Sequence, residues 1–345
     1  MAHKLIKINF RKSLHLQQPL VSIIITTYNS AKFVGETLES AKNQTYQHLE
    51  LIISDDCSKD DTVQICKQWL ADNKNRFVNT AIVTVPFNTG VSANCNRCIK
   101  AANADWVKFI AGDDILLPNC IEDNMAFAQS NANATIIFSK VLLYNNTFKK
   151  ENFLVAYPSP FPLNIMDPAF TAADQFNQLL LSDRINFTPS YFFKKQTLIN
   201  IGGYDEGEKF AEDYPMWLKL TKAGYKLWYF DISTVGYRMH NAASNNMASA
   251  AMFKPLYLKS GPLLKKHVYP FLPWDIAGSK RFVLMMAKIF NAVGLNKKSN
   301  INITLFTLAT VFFNPFHYIV SFKKKVLKLG KSNLLYADKK NSLGI

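Results

Sequence analysis

Phe109-Ile110-Ala111-Gly112-Asp113-Asp114-Ile115-Leu116-Leu117-Pro118 is an apolar strand that runs into a glycine turn and two adjacent carboxylates, with a proline limiting the helix that follows. Neighbouring acids repel, and a strand of this kind delivers both to the carboxyl edge of its sheet, where a divalent cation or a ligand hydroxyl is the natural compensation. Gly-Asp-Asp is also ordinary turn chemistry, so the surrounding chain has to decide between the two. Upstream, residues 20–27 form a near-continuous β-branched run bounded by Pro19 and Asn29, which suits a strand buried on both faces. Phe33, Val34, Leu38 and Ala41 then recur at helical spacing, and residues 49–54 form a second strand ending in Asp55 and Asp56. Ser58 and Asp61 have the spacing of a capping box before a helix carrying Val63, Ile65, Cys66, Trp69 and Leu70. A third strand is expected over 81–85, a helix over 92–102 and a fourth strand over 105–111. This alternation predicts an α/β fold built on an open, mostly parallel sheet flanked by helices.

Ligands of such sheets bind outside the carboxyl ends of the strands, and three of the four ends here are polar: Thr26 to Asn29, Asp55 with Asp56, and Asp113 with Asp114. No Gly-x-Gly-x-x-Gly follows the first strand, and no Gly-x-x-x-x-Gly-Lys-Ser or Gly-x-x-x-x-Gly-Lys-Thr phosphate loop occurs, which disfavours a dinucleotide-binding domain and a P-loop ATPase. Phosphate charge is most simply met by a metal on the Asp pair. Tyr28 offers an aromatic face for stacking, or else is a core tyrosine at a strand end. Asp56 can accept from a ring imide N–H, whereas Asp55 reads better as a brace for its turn through Ser58 or backbone amides.

Val21-Ser22-Ile23-Ile24-Ile25-Thr26-Thr27-Tyr28-Asn29, Ile53-Ser54-Asp55-Asp56-Cys57-Ser58-Lys59-Asp60-Asp61-Thr62, Asn88-Thr89-Gly90-Val91-Ser92 and Gly112-Asp113-Asp114 together resemble glycosyltransferase family 2, in order and in spacing, over roughly residues 19 to 240. The resemblance implies a GT-A nucleotide-sugar-binding fold and an inverting transfer from a nucleotide-diphosphate sugar to a hydroxyl. Carried over by position, it puts Thr26 and Tyr28 in the nucleoside pocket, Asp56 on the base, Asp113 in the ribose and metal region, and Asp114 on a Mn²⁺ or Mg²⁺ ion that bridges the diphosphate.

Further on, Ile201-Gly202-Gly203-Tyr204-Asp205-Glu206 and Phe210-Ala211-Glu212-Asp213-Tyr214-Pro215-Met216-Trp217-Leu218 are similar to the acceptor half of that family. The family pattern gives the general base to the second acid, Asp213, with Glu212 beside it for acceptor binding; an acidic pair at this point also suits a plain helix N-terminus. Tyr237-Arg238-Met239-His240-Asn241 falls where the family often has a histidine near the diphosphate, so His240 is a candidate metal ligand and Arg238 a candidate phosphate ligand. Arginine commonly precedes Asn96 in the pattern; Cys95 stands there, and Arg97 is the substitute for diphosphate contact. The Gln-x-x-Arg-Trp signature of processive members is missing, which argues for the addition of a single sugar.

Cys95-Asn96-Arg97-Cys98 has no second cysteine pair at metal spacing, and five cysteines fit reduced thiols packed as small hydrophobes. The chain carries a net charge of +15. Residues 251–345 hold 16 of the 40 Lys and Arg and only Asp275 and Asp338 among the acids, so the basicity belongs to the tail. There residues 282–290 are largely apolar, and the uncharged run 301–322 meets Lys323, Lys324, Lys325 and Lys328 at once. Apolar faces beside lysines describe an interfacial anchor; Asn302, Asn314, Pro315 and His317 interrupt the run, which favours helices on the membrane surface over a spanning helix.

Four regions are therefore expected: a basic lead at 1–18, a nucleotide-sugar half at 19–118, an acceptor half with the base at 119–250, and a basic, apolar helical tail at 251–345 that associates with membranes. The expected partners are a nucleotide-diphosphate sugar, UDP-linked first of all, a glycan or lipid-linked glycan acceptor, and an anionic membrane surface on the cytoplasmic side. Nucleic acid is not expected, because no aromatic residues interleave with the basic ones at a recognised fold. The rivals are a nucleotide-sugar-binding scaffold without turnover, and a sugar-nucleotide pyrophosphorylase, which needs a Gly-rich basic loop near the first strand.

Overall fold

The computed structural model describes residues 18–158, 165–208, 212–240, 251–329 and 333–336. Almost all of the basic lead, together with Phe210, Ala211 and Asn241 of the quoted motifs, lies outside them. Val21–Thr27 (β1), Leu49–Asp55 (β2), Asn79–Thr84 (β3) and Trp106–Ala111 (β4) lie in parallel in the order β3-β2-β1-β4. The crossovers are Val34–Lys42 (α1), Thr62–Asn73 (α2) and Val91–Ala101 (α3), so the expected alternation is present. β2 is buried at every position, and this requires a partner for Glu50. Its carboxylate accepts from Ser22, from the backbone and side chain of Asn103, and from the Ala104 N–H, which ties the start of β4 to its neighbours.

The expected capping box is not formed. Ser58 Oγ accepts the Asn29 N–H at 2.8 Å and donates to Asp55, and Asp60 takes the Thr62 N–H at 3.1 Å. Ser58 thus serves the site loop, and Asp60 holds both that loop, through the Ala31 N–H, and the start of the helix.

The sheet then changes character. β4 pairs antiparallel with Phe192–Lys194 (β8), which pairs antiparallel with Ile136–Asn145 (β6). β6 runs parallel to Leu227–Met239 (β9), Ile115–Leu116 (β5) closes antiparallel on β9, and Phe153–Tyr157 (β7) pairs antiparallel with β6. The sheet is open and mixed, and the mostly parallel expectation holds for its first four strands. Because β5 belongs to the first half and β9 to the second, residues 19–118 and 119–250 share one sheet. Cys120–Ser130 (α4), Ala172–Leu181 (α5), Lys195–Asn200 (α6) and Asp213–Lys222 (α7) complete this body. The aromatic rings of Phe109, Tyr191, Phe193 and Tyr204 pack at its centre, 5.4 to 6.2 Å from Phe109 to each of the others.

The tail comprises Pro255–Lys259 (α8), Gly261–His267 (α9), Trp274–Ala292 (α10), Asn300–Phe312 (α11) and Pro315–Lys325 (α12). α10 and α12 cross closely at Gly278, where a Cβ would meet ring carbons of Phe316 at 2.5 to 2.7 Å. The fully buried Asp275 accepts from Tyr336 at 2.9 Å and from Lys323 at 3.0 Å. Lys323 is therefore committed inward, and the basic cluster after the apolar run is smaller than its sequence suggests. α11 and α12 are bent by 69° about the break at Asn314 and Pro315; neither is long and apolar enough to cross a membrane alone, and the pair qualifies by length and composition. Their apolar side chains face outward, with Phe313 75% exposed and Ile301, Phe312, Phe322, Val326 and Leu327 exposed with it.

Candidate active site

At the carboxyl edge of the sheet, β1, β2 and β4 are laced by their own backbone. The Thr26 carbonyl accepts from Gly112 at 2.9 Å, and the Thr27 carbonyl accepts from Asp56 at 3.0 Å. Thr26 is half-buried between them. Tyr28 follows, 48% exposed, so it is no core residue and its ring face is available. Asn29 turns the chain back with φ of 52°, and its side chain accepts the Lys59 N–H at 2.7 Å.

The two acids after β2 have separate duties. Asp55 accepts from Ser58 N–H at 2.8 Å, Ser58 Oγ at 2.5 Å and Thr27 Oγ1 at 2.9 Å, the bracing role its sequence suggests. Asp56, nearly fully buried, accepts from the Thr89 N–H and hydroxyl, from the Gly90 N–H at 2.7 Å and from Arg97 at 2.8 Å. Burial works to raise its pKa, but the hydrogen bonds from Thr89, Arg97 and Gly90 outweigh that and hold it below the usual carboxylate range. Its carboxylate is saturated within the fold, so a base imide N–H must displace one of these partners. Arg97 is likewise held by Asp56, Thr89 and Asn94.

The acids after β4 divide more sharply. Asp114 is 1% exposed; its Oδ1 accepts the Arg238 N–H of β9 at 2.8 Å, and its carbonyl accepts from Thr37 of α1. Burial and then the neighbouring Asp113 charge push its pKa well above the carboxylate range. Asp113 is the open member, with 30% of its side chain exposed and its Oδ2 3.0 Å from Nε2 of His240. His240 lies just past the end of β9, against the Phe33 ring at 4.6 Å. Of the two acids, Asp113 makes the contact with His240. Arg238 is closed to ligands as well. It donates to the carbonyls of Asp113 and Asn146, pairs with Glu36 at 3.0 Å and lies between the rings of Phe33 and Phe148.

Glu212 and Asp213 open α7. Asp213 Oδ2 accepts from Thr188 Oγ1 at 2.9 Å, and its Oδ1 accepts the Tyr214 N–H at 2.7 Å. Desolvation raises its pKa against those two hydrogen bonds. Desolvation and then the Asp213 charge push Glu212 up to about 7, and they do the same to Asp183, a third acid that sequence reasoning passed over. Asp183 keeps one side open to solvent, which screens part of this repulsion. The turn Thr188–Ser190 that carries Thr188 is itself fixed by Lys108, a fully buried lysine of β4 whose ammonium donates to the carbonyls of Pro189 and Tyr191. Burial lowers that lysine to about 8. One lysine inside an otherwise apolar strand was the available signal for this link.

α3 joins the two groups of acids. Arg97 meets Asp56, Ser92 Oγ donates to the Glu208 carbonyl at 3.0 Å, and the Asn96 side chain clasps both the N–H and the carbonyl of Tyr204. Gly203 is required beside it, with φ of 64° and a would-be Cβ 2.6 Å from Asn96 Oδ1. Cys95 and Cys98 are buried on the same helix with their thiols pushed up by burial, Cys98 to about 12, which is packing chemistry and not redox chemistry.

Residues 22–183 match the family model described as Glycosyl transferase family 2. The chain is similar to the UDP-Glc:alpha-D-GlcNAc-diphosphoundecaprenol beta-1,3-glucosyltransferase WfaP of Escherichia coli, 27% identical over 71% of this chain and 85% of that one. It is also similar to the uncharacterized glycosyltransferase RT0329 of Rickettsia typhi, 28% identical over 72% of each chain. A further relative, from Bacillus subtilis, is 30% identical but is matched over only 45% of its own length. In fold it resembles the crystal structure of S. aureus TarS 1-349 in complex with UDP-GlcNAc, with a TM-score of 0.52 and 19% identity over 79% of this chain and 72% of that one. With the family 2 match over residues 22–183 and these relatives, the protein is a glycosyltransferase of GT-A fold.

Proposed function

We propose that the enzyme moves one sugar, with inversion, from a UDP-sugar to a hydroxyl of a lipid-linked glycan, as surface polysaccharide assembly such as O-antigen or capsule synthesis requires, on the cytoplasmic face of the membrane. The observation that carries the donor half is the convergence on one sheet edge of an open aromatic ring, Tyr28, and an open carboxylate–imidazole pair, Asp113 with His240. Thr26 and Tyr28 frame the nucleoside, and Asp56 with Arg97 forms the wall that meets the base. Asp113 and His240 offer oxygen and nitrogen donors that suit Mn²⁺ or Mg²⁺, Mn²⁺ the better of the two. A divalent ion held there supplies neutralisation of the charge that grows on the departing diphosphate.

Asp213 is the general base. It takes the acceptor hydroxyl proton while the oxygen forms its bond to the anomeric carbon, and the bond from that carbon to the diphosphate oxygen breaks on the opposite face. A raised pKa suits this duty, since a stronger base removes the proton more readily. Thr188 and the Tyr214 N–H hold both its oxygens in place. Glu212 binds the acceptor beside it.

UDP as the donor nucleotide draws support from the printed names of the Escherichia coli relative and the S. aureus structure, and the lipid-linked acceptor from the former. Membrane attachment is supported by the outward apolar faces of α11 and α12 next to lysines. A thermal-shift panel of UDP-, GDP- and dTDP-sugars with and without Mn²⁺ tests the donor. Stabilisation by UDP-sugars that requires the metal is expected, because a ligand that binds only the folded state raises the melting temperature. Stabilisation by another nucleotide class alone overturns the UDP assignment.

A further inference from the structure

Beside the acid cluster, the body and the tail enclose a cavity of about 900 Å³. Its lining is mixed: Asp183, Glu208 and Tyr214, the last next to Asp213 in sequence, stand with Lys254, Lys280 and the apolar Leu256 of α8 and Val283 of α10. The Lys280 ammonium donates to the carbonyl of Leu181, the last residue of α5, two positions before Asp183. Phe253, also on the wall, packs on Phe306 of α11 at 4.6 Å, so the cavity adjoins a helix with exposed apolar side chains. Carboxylates, ammonium groups and hydrocarbon on one wall suit a molecule with sugar hydroxyls, an anionic centre and an apolar chain. The volume exceeds what a single sugar ring occupies.

We propose that this cavity is the acceptor site and that it holds the diphosphate and the first isoprenoid units of a polyprenyl-diphosphate-linked glycan, with the glycan directed to Asp183 and Asp213. The assignment rests on the lipid-linked reading of the acceptor. It gives the tail a second duty besides attachment: α8 and α10 build a wall of the active site, so the lipid is bound by the enzyme and not merely presented by the bilayer. Asp183 becomes the acid that meets the acceptor before Asp213 does.

Binding of farnesyl diphosphate to the full-length protein tests this, measured by calorimetry beside farnesol and inorganic pyrophosphate, each with and without saturating UDP and Mn²⁺. Farnesyl diphosphate is expected to bind at least about tenfold more tightly than either fragment and independently of UDP. Val283→Trp, which fills the cavity, and Leu256→Glu, an exposed position that leaves the fold intact, are each expected to weaken it by about tenfold while UDP affinity stays unchanged. Lys280→Met removes the advantage of farnesyl diphosphate over farnesol. Binding no tighter than that of farnesol, loss of the probe on adding UDP, or equal affinity in both cavity variants overturns the proposal in favour of a soluble glycan or a peptide occupant. The UDP arm is read separately: failure there contradicts the donor site and leaves the cavity result standing.

Discussion

Asp113 and Asp114 are adjacent in sequence and opposite in circumstance, one open beside His240 and the other sealed in the fold with its pKa pushed up by burial. Nothing in Gly-Asp-Asp says which will turn inward. The choice is made by the Arg238 N–H, 124 positions away, which captures Asp114, and by the guanidinium of the same residue, which takes the Asp113 carbonyl. The same distance in sequence hid the saturation of Asp56 and the inward use of Arg238. What was legible at this scale was local: Asp55 bracing Ser58, the exposed Tyr28, and the acid pair opening α7. Asp213 carries the prediction that belongs here. Asp213→Asn keeps the shape and its hydrogen bond to Thr188, so UDP affinity should be unchanged while transfer falls by about 10²–10⁴-fold, the usual contribution of a positioned base. Glu212→Gln should raise the acceptor KM more than it lowers kcat. Steady-state kinetics with donor binding checks both, and an inactive Glu212→Gln beside an active Asp213→Asn would exchange the two roles.

α7 begins with acids, as a helix N-terminus favours, yet desolvation raises the pKa of Asp213, and desolvation and then the Asp213 charge raise those of Glu212 and the nearby Asp183. In the folded protein Glu212 and Asp183 titrate at about 7, against roughly 4 for exposed carboxyls. Between those values the folded state holds protons that the unfolded chain has released, so stability falls as pH rises through this window. The double variant Glu212→Gln, Asp183→Asn should therefore lose less stability than the parent between about pH 5 and about pH 8, measured by thermal melts across the range; a parallel decline would show that folding does not raise these two pKa values. Helices and strands were legible up to β4 because each carries its own period and turn chemistry. β5, β8 and β9 were less so, because β5 and β8 are two and three residues long and owe their existence to neighbours, and β9 is mixed in polarity. The expected capping box failed for a similar reason: Ser58 had a better partner across the cleft.

The whole molecule combines a nearly neutral catalytic body with a tail that carries almost all of the net charge. The tail forms paired helices with outward apolar faces, but Lys323 is withdrawn from the surface by Asp275, a contact that no sequence spacing announces. Attachment should then depend on hydrocarbon contact as well as on charge. In flotation with anionic liposomes the full chain should rise with the lipid, high salt should weaken that only in part, and Phe312→Ser with Phe313→Ser should abolish it; flotation unaffected by the pair would contradict attachment through these helices. The central claim is that the sheet edge is a metal-assisted donor site centred on Asp113 and His240. Calorimetric titration of UDP with and without Mn²⁺ tests it most directly, on the parent, Asp113→Asn and Asp114→Asn. The account predicts that Mn²⁺ tightens UDP binding in the parent, that Asp113→Asn loses this gain, and that Asp114→Asn, a change that keeps the shape and the acceptor for the Arg238 N–H, retains it. Metal-independent UDP binding in the parent, or loss of the gain in Asp114→Asn with Asp113→Asn unaffected, would contradict it.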